Sequence, residues 1–330
     1  MPLSNQSVFG VRPMTEAINR LPEAPSIIRG LGIFKAEYLA TTSVAVESKE
    51  NTLQLVKPVP RGTPGEPVTD ASPDRKTFEM LHLPKNDVVM ADDVQNVKAF
   101  GTDNKAQAVA EKVNDKLQAM KDDIDFTREY LMLGALKGQI LSSDGTTVIE
   151  DIYNRFGITR QSFNWALGTA NTKVGAKIDA TKRALAKKKK GESVNGWAAL
   201  CSPEFLEELV YHDSLKGIYE RYQEGQVYRQ GDTEVSFMHK RIKFIAYDED
   251  FGNGVQIPAG EAILLPLGTR KTFREFFAPA NMNAAVNTKA KPYYASREKL
   301  KHDEGWDLKA QSNPLPLVMR PELVATLTVS

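Results

Sequence analysis

The sequence predicts an α+β fold, and three observations support this. One uninterrupted helical pattern covers about Asn104 to Lys137, a proline-rich extended segment precedes it, and short apolar runs typical of strands follow it. Strands and helices do not alternate regularly, which argues against a doubly wound parallel sheet. With 330 residues, 41% of them hydrophobic, the chain is long enough for one large domain or two medium ones.

Charge and cysteine content exclude several classes of function. The 43 basic and 42 acidic residues give a net charge of +1, so bulk electrostatics does not favour DNA or an anionic membrane. The one cysteine, Cys201, cannot form an internal disulfide, which fits a reducing cytosol. Met1 to Met14 lacks the features of a signal peptide, and no run is long enough for a membrane helix. We expect a protein that is made in the cytosol and leaves it only within a particle.

Residues 1–42 combine a short helix with apolar residues that have no regular spacing. The helical pattern from Thr15 to Leu21 ends at Pro22, which cannot continue it. Because an apolar segment without a period usually packs against another surface, we expect this part of the chain to do so. The apolar residues concerned are Ile27, Ile28, Leu31, Ile33 and Phe34.

Residues 43–90 predict one long two-stranded excursion with a stiff tip, which we call the ribbon. Val44 and Val46 alternate with polar residues, and alternation returns between Thr77 and Val89. The prolines between these stretches exclude both helix and strand ladder. They are Pro58, Pro60, Pro64, Pro67 and Pro73. A two-stranded ribbon is marginal alone in water and needs a surface to lie on, whereas the alternative is a disordered surface loop.

The helix over 104–137 is the clearest element of the sequence. Thr102 or Asp103 is its expected N-cap and Gly138 its expected C-terminal stop. At 1.5 Å per residue it would be roughly 50 Å long, so it either crosses a large domain or forms the spine of an elongated one. Its predicted buried stripe is Val113, Leu117, Met120, Ile124, Thr127 and Leu131, and the charges Lys112, Lys116, Lys121, Asp122 and Glu129 fall outside it. A coiled coil is disfavoured because Thr127 interrupts the stripe and only about four heptads are available.

The remaining chain predicts mixed short elements. We expect a hairpin over 139–151 around Ser143-Asp144-Gly145, and a helix that begins at Ser202-Pro203. A further amphipathic helix carries Val174, Ile178 and Leu185 and ends in Lys187 to Lys190. Strands are predicted over 197–201, 242–247, 262–265 and 323–329.

Motifs for catalysis or cofactor binding were not found in the sequence. His82, His212, His239 and His302 do not have metal-ligand spacing, and no nucleophile elbow, Walker loop or dinucleotide-binding fingerprint occurs. Cys201 follows an apolar strand without a nearby base, so we interpret it as a packed thiol. The run Lys187 to Lys190 could bind phosphates, but lysines in the last turn of a helix more simply complement its dipole.

Several irregular strings, which are short segments with uncommon combinations of residues, occur towards the C-terminus. They are Ala278-Pro279-Ala280, Val286-Asn287-Thr288, Pro292-Tyr293-Tyr294-Ala295, Gly305-Trp306, Gln311-Ser312-Asn313-Pro314-Leu315-Pro316 and Arg320-Pro321. In these strings the chain resembles the major capsid protein E family of lambda-like tailed phages. The similarity extends over nearly the whole chain, although between about Asp92 and Lys190 it depends on the order of elements.

This resemblance implies the tailed-phage major capsid fold. Its parts would be an N-terminal arm (1–42), an extended β-hairpin loop (43–90), a peripheral domain with a long spine helix (91–165 and 291–330) and an axial domain (166–290). The hairpin over 139–151 and the strand over 323–329 would then share the peripheral sheet.

The resemblance also implies a structural subunit that is not an enzyme and uses no cofactor or metal. Copies would self-assemble through hexamers and pentamers into the icosahedral shell of a phage head that encloses double-stranded DNA. Implied partners are a scaffolding protein, a portal, a possible decoration protein and non-specifically contacted DNA, with no membrane. The resemblance leaves open whether lysines of the ribbon form covalent cross-links.

We expect contacts between copies on charges of the ribbon and on apolar residues of the arm. The candidates are Lys49, Lys57, Arg61, Arg75 and Lys76, together with Ile27, Ile28 and Phe34. For each of them the alternative is a solvated charge or an ordinary core residue. The rival functions are a cytosolic nucleic-acid-binding protein that uses Lys187 to Lys190, and an enzyme without a local signature.

Overall fold

The computed structural model describes residues 10–48, 74–94, 105–189, 191–224 and 236–330, and it confirms the α+β class. The helices of these residues are α1 (Val11–Arg20), α2 (Ile27–Gly30), α3 (Ala91–Val94), α4 (Lys105–Lys137), α5 (Ile152–Phe156), α6 (Val174–Lys187), α7 (Pro203–Tyr211) and α8 (Lys216–Glu224). Their strands are β1 (Lys35–Tyr38), β2 (Ser43–Ser48), β3 (Asp74–Glu79), β4 (Leu83–Met90), β5 (Gln139–Leu141), β6 (Val148–Asp151), β7 (Gln161–Asn164), β8 (Gly196–Cys201), β9 (Ser236–His239), β10 (Ile242–Ala246), β11 (Glu261–Leu267), β12 (Phe273–Phe277), β13 (Tyr294–Lys299), β14 (Gly305–Ser312), β15 (Pro314–Val318) and β16 (Ala325–Thr328).

The chain divides into two compact units. Unit 1 contains the described residues of Met1–Val44, Thr77–Leu133 and Arg274–Leu317. Unit 2 contains those of Ala45–Lys76, Gly134–Phe273 and Val318–Ser330. Each unit is therefore assembled from segments that are distant in the sequence.

The core of unit 1 lies between α4, α1 and the antiparallel sheet β13-β14-β4. Met14 and Ile18 of α1 pack with Leu117 and Met120 of α4 and with Leu308 of β14. Because apolar residues recur every three or four positions on both helices, each presents one continuous apolar face to the sheet. A second sheet of the chain has the order β1-β12-β15, in which β1 and β12 are parallel.

The predicted stripe on α4 is confirmed except at one position. Val113, Leu117, Met120, Ile124 and Leu131 are all at most 3% exposed. The prediction for Thr127 is wrong, because its side chain is half-buried and its hydroxyl donates to the Asp123 carbonyl at 2.8 Å. Arg128 occupies the buried position, and a search for apolar residues alone cannot find an arginine.

The core of unit 2 lies on one face of a six-stranded sheet with the order β7-β16-β11-β8-β10-β9. Helices α6 and α7 both pack there, around Trp165, Phe205 and Phe244, which are 0% exposed. The predicted cap of α7 is confirmed, since Ser202 Oγ accepts from the Phe205 amide at 3.2 Å. Gly138 ends α4 at φ +92°, where an added Cβ would lie 2.1 Å from the Tyr153 ring.

One predicted strand pairing is confirmed only in part, and another is wrong. The ribbon's returning strand is β3, which pairs with β2, whereas β4 pairs with β14 through all eight of its residues. Strand β16 does not join the hairpin β5-β6, because it lies between β7 and β11 in the six-stranded sheet. Both errors have one cause: alternation identifies a strand but carries no information about which distant strand it pairs with.

Candidate assembly surfaces

The spine helix α4 holds the arm through three side chains spaced four residues apart. Lys121 Nζ donates to the Leu21 carbonyl at 2.6 Å, and Asp125 Oδ2 accepts from the Ala24 amide at 3.1 Å. One turn further on, Glu129 Oε1 accepts from the Ile28 amide at 2.9 Å, and its other oxygen accepts from the Ser26 hydroxyl. Positions i, i+4 and i+8 lie on one helix face, so the main chain over 21–28 follows α4 as one line of polar contacts. We call this the arm clamp.

The arm clamp explains why two charges predicted to lie outside the buried stripe are nearly inaccessible. Lys121 is 1% exposed and Glu129 is 4% exposed. Burial lowers the pKa of Lys121, although Asp125 acts in the opposite direction. Proline at positions 22 and 25 keeps the arm extended here, so its main-chain groups need side-chain partners.

Beside the clamp, Arg128 forms a buried ion cluster with strand β12. Its guanidinium binds Glu275 in a bidentate manner, with Nε–Oε1 and Nη2–Oε2 distances of 2.9 Å, and lies 3.1 Å from Asp125 Oδ1. The Tyr293 hydroxyl contacts both Arg128 and Asp125. Burial alone disfavours the charged guanidinium, but Glu275 outweighs that effect and raises the pKa of Arg128. The cluster is therefore a permanently charged pair whose hydrogen bonds are satisfied.

The three candidate residues of the arm lie in different environments. Ile28 is 0% exposed and belongs to the segment that the clamp holds, so its side chain packs within its own chain. Ile27 and Phe34 are half-buried. Contacts of all three with neighbouring copies stay predictions, and for Ile28 such a contact would require the clamp to open.

The five candidate charges of the ribbon are only partly described. Lys49, Lys57 and Arg61 lie outside the described residues. Arg75 is exposed on β3. Lys76 is half-buried, donates to the Arg155 carbonyl, and lies 5.5 Å from the centroid of the Phe156 ring in the same chain. Arg75 is therefore the more direct probe of contacts between copies.

The irregular strings near the C-terminus bind one another. Asn313 Nδ2 donates to the Pro279 carbonyl at 2.9 Å, and the Asn313 carbonyl accepts from the Ala278 amide at 3.0 Å. Ser312 Oγ donates to the Pro292 carbonyl at 2.6 Å. These polar side chains therefore satisfy main-chain groups of loops that form no ladder.

Two further strings, Gly305-Trp306 and Arg320-Pro321, also have local structural explanations. An added Cβ at Gly305 would lie 2.3 Å from the Val89 carbonyl oxygen, so β14 and β4 can approach this closely only with glycine there. Arg320 donates to the Lys188 and Lys189 carbonyls at 2.9 and 2.5 Å, and thereby caps the C-terminal end of α6. The geometry gives these strings a structural role.

Reactive groups in the described part of the chain are few. Burial raises the pKa of the Cys201 thiol, which keeps it protonated. Among the described residues, no three or more His, Cys, Asp or Glu side chains are arranged to hold a metal ion. None of the described helices combines the length and apolarity that a membrane span requires.

Comparison with known proteins agrees with this structural role. The family model described as phage major capsid protein E matches residues 10–329. The chain belongs to this family. The major capsid protein of Pseudomonas phage KPP10 is 26% identical over 342 positions, which cover 97% of each chain. That of Salmonella phage Felix O1 is 23% identical over 357 positions, covering 97% of this chain and 96% of the other.

A solved structure supports the fold independently of sequence. The crystal structure of a protein described as the capsid protein of a prophage of E. coli CFT073 matches with a TM-score of 0.58. At 12% identity it covers 97% of this chain and 99% of its own. The predicted tailed-phage major capsid fold is thus confirmed. The comparisons give the nucleic-acid-binding alternative no support.

Sequence reasoning missed the arm clamp and the ion cluster. Charges on a helix are ordinarily solvated, so Lys121 and Glu129 carried no sign of burial in the sequence. The one available signal was Arg128, a charge that follows Ile124 at the four-residue spacing of the stripe. That signal indicates a buried ion pair but does not identify Glu275, 147 residues away, as its partner.

Proposed function

We propose that this chain is the major capsid protein of a tailed phage, and that its copies assemble through hexamers and pentamers into an icosahedral shell around double-stranded DNA. The observation that carries the proposal is the match of the phage major capsid protein E family along residues 10–329. Curated relatives that are themselves named major capsid protein align with 97% of the chain. The phage head is then its place of function and the host cytoplasm its place of synthesis.

Each part of the capsid fold would correspond to a region of this chain. We assign the extended loop to the part of the ribbon that precedes β4, the peripheral domain to the unit that contains most of α4 and the sheet β13-β14-β4, and the axial domain to the six-stranded sheet of unit 2. Because β16 lies inside that sheet, the axial assignment includes 325–328 as well as most of 166–290. The arm would reach a neighbour through surface that the clamp leaves accessible.

Assembly in this proposal is geometric and multivalent. Each copy would bury surface against several neighbours, so weak individual contacts add up to a stable shell while errors can still dissociate. The expected partners are further copies of the chain, a scaffolding protein, a portal and the packaged DNA, with a decoration protein as an optional addition. No reacting group is required of the chain.

Gel filtration with negative-stain electron microscopy tests the proposal. The chain, expressed alone and with its scaffolding protein, should elute as capsomer-sized or megadalton species and show closed shells. A discrete small species that binds DNA in a salt-dependent way would contradict it and favour the rival function. Denaturing gels of mature particles would show whether covalent cross-links form.

Arg75 offers a matched pair of variants for the same assay. Arg75→Glu reverses an exposed charge on β3, so it should lower particle yield if the ribbon contacts a neighbour, whereas Arg75→Lys retains the charge and should assemble normally. Equal yields from both variants would remove Arg75 from the candidate contacts. Lys76 is a poorer choice because it also binds Arg155 within its own chain.

A further inference from the structure

Helix α7 and the turn after it present an acidic face. Four acidic residues lie there, and residues 203–215 contain no lysine or arginine. All four carboxylates are exposed, as is Tyr211, whose exposed fraction is 65%. The acidic face consists of Glu204, Glu207, Glu208 and Asp213.

Helix α6 presents the opposite charge. Residues 173–187 contain five basic residues and one acidic residue, Asp179, which pairs with Lys240 at 2.5 Å. Lys182 donates to the Lys240 carbonyl at 2.8 Å, so these groups are used within the chain. The other four are exposed on the outer side of the helix, separated only by small alanines. This basic face consists of Lys173, Lys177, Arg183 and Lys187.

Neither charged face is required for the folding of its own unit. The inner sides of α6 and α7, including Ile178 and Leu209, are 0% exposed in the unit 2 core, so the apolar sides of both helices are already covered. Within the described residues, Lys177 makes one long contact, 3.4 Å to the Asn164 carbonyl, and no ion pair joins either face to another group. Charges so arranged contribute little to folding and are available to a partner.

A groove beside α7 fits a basic side chain. Glu207, Glu208 and Asp213 line it together with Tyr211, and Leu167 and Ala170 add apolar surface. Carboxylates would pair with an ammonium or guanidinium group, the tyrosine ring can stack on it, and the apolar residues can cover its aliphatic stem. A basic helix face carrying such side chains one turn apart is a suitable occupant.

We propose that the acidic face of one copy binds the basic face of the next copy. This inference rests on the proposed function and specifies one of its contacts. Because the two faces differ, the contact is heterologous, and repetition of a heterologous contact produces rings where the rotation closes. The same pairing could serve rings of five and of six. Opposite charge would also steer copies into register and disfavour contacts between like faces.

Charge reversal and its compensation test the pairing. In the proposed contact the central pair of the acidic face, Glu207 and Glu208, opposes the central pair of the basic face, Lys177 and Arg183. Glu207→Lys with Glu208→Lys makes both central pairs basic, and Lys177→Glu with Arg183→Glu makes both central pairs acidic. Each double variant should lose at least tenfold in particle yield, because every contact of the ring would oppose like charges. The chain with all four changes has both central pairs reversed, so they are again of opposite charge, and it should recover to within about twofold of the unaltered chain, a gain that a purely structural role cannot produce.

Co-expression of the two double variants sharpens the test. Alternating copies satisfy every contact in a six-membered ring but leave one like-charged contact in a five-membered ring. We therefore expect six-membered rings to recover while complete shells do not. Glu207→Asp with Glu208→Asp, and Lys177→Arg with Arg183→Lys, retain the charges and are the matched controls for folding and yield.

Several results would overturn the inference. Normal yield from either reversed variant would do so, as would failure of the four-change chain to recover while its circular dichroism shows it to be folded. If Lys177→Glu with Arg183→Glu, supplied during infection in place of the unaltered chain, gave intact shells that failed to package DNA, the basic face would be a nucleic-acid surface instead. Absence of particles from the unaltered chain would be different, because it would contradict the proposed function itself.

Discussion

The two units bury their large side chains by different physical means. In unit 2, the Trp165 ring lies with its centroid 5.9 Å from that of Phe205 and 6.1 Å from that of Phe244, and its Nε1 lies 3.1 Å from Thr181 Oγ1. In unit 1, the middle of α4 instead buries Arg128 with Glu275, and its neighbouring turns bind the main chain of the arm. The interior of unit 2 is held by apolar area, whereas unit 1 adds a few directed, charged bonds to its apolar core.

This difference bears on what each region can do in a shell. Apolar burial is non-directional and is lost only when the unit unfolds, so the six-stranded sheet should behave as a rigid body. A contact made of a few charged hydrogen bonds can open locally and re-form in one geometry only. Residues 21–28 of the arm, which the clamp holds, are therefore the segment that we expect to rearrange when copies meet.

The largest effect is expected in the apolar core. Trp165→Ala should lower the free energy of unfolding by about 3–5 kcal/mol, because the cavity lies among side chains that cannot collapse into it. Met238→Ala on β9 of the same sheet, at 55% exposure, should change it by less than about 1 kcal/mol. Denaturant unfolding of the unassembled chain measures both, and equal values would contradict a close-packed apolar core.

Breaking the ion cluster should lower the free energy of unfolding by less than Trp165→Ala does, and a second substitution should restore part of the loss. Glu275→Leu leaves the Arg128 guanidinium buried without its main partner and should cost roughly 3 kcal/mol. Adding Arg128→Met removes the stranded charge, so the double variant should be more stable than Glu275→Leu alone. A double variant no better than the single one would show that the charge is solvated in the folded chain.

Weakening the arm clamp should destabilise only the segment of the arm that it holds. Glu129→Ala removes the acceptor of the Ile28 amide and should cost about 1–2 kcal/mol, so hydrogen exchange of residues 26–29 should quicken while β13 and β14 stay protected. Asp123→Ala, on the same helix, breaks only an exposed pair with Lys85 and serves as the control. Unchanged exchange at Ile28 would exclude the clamp as the group that holds the arm.

The smallest effect concerns the hairpin β5-β6, where Asp144 accepts from Thr147 and Thr146. These hydrogen bonds lower the pKa of Asp144 from 3.8 to about 2. Since the folded pKa is depressed, its contribution is complete above the unfolded value and is lost as pH falls from about 4 to about 2. An NMR titration should place the carboxyl midpoint near 2 in the folded chain, and a midpoint near 3.8 would mean that the turn contacts are absent.

Local features were predictable from the sequence, but most partners were not. The span of α4, the Ser202 cap and the turn around Asp144 follow from residues within a few positions, and the structure has all of them. The pairing of β4 with β14 joins residues more than 200 positions apart, and no local pattern encodes it. Glu129 and Lys121 looked solvated because their partners are main-chain groups about 100 residues away. A contact with main chain does not depend on the residue type of the partner, so the periodicity of side chains does not reveal it.

Electron cryo-microscopy of the chain expressed with its scaffolding protein is the decisive test of whether this chain builds shells. We expect closed shells in which six-membered and five-membered rings of this chain meet, with the six-stranded sheet of each copy beside that of the next. A compact monomer that persists at high concentration, with its ribbon folded onto its own unit and no shells on the grid, would contradict it.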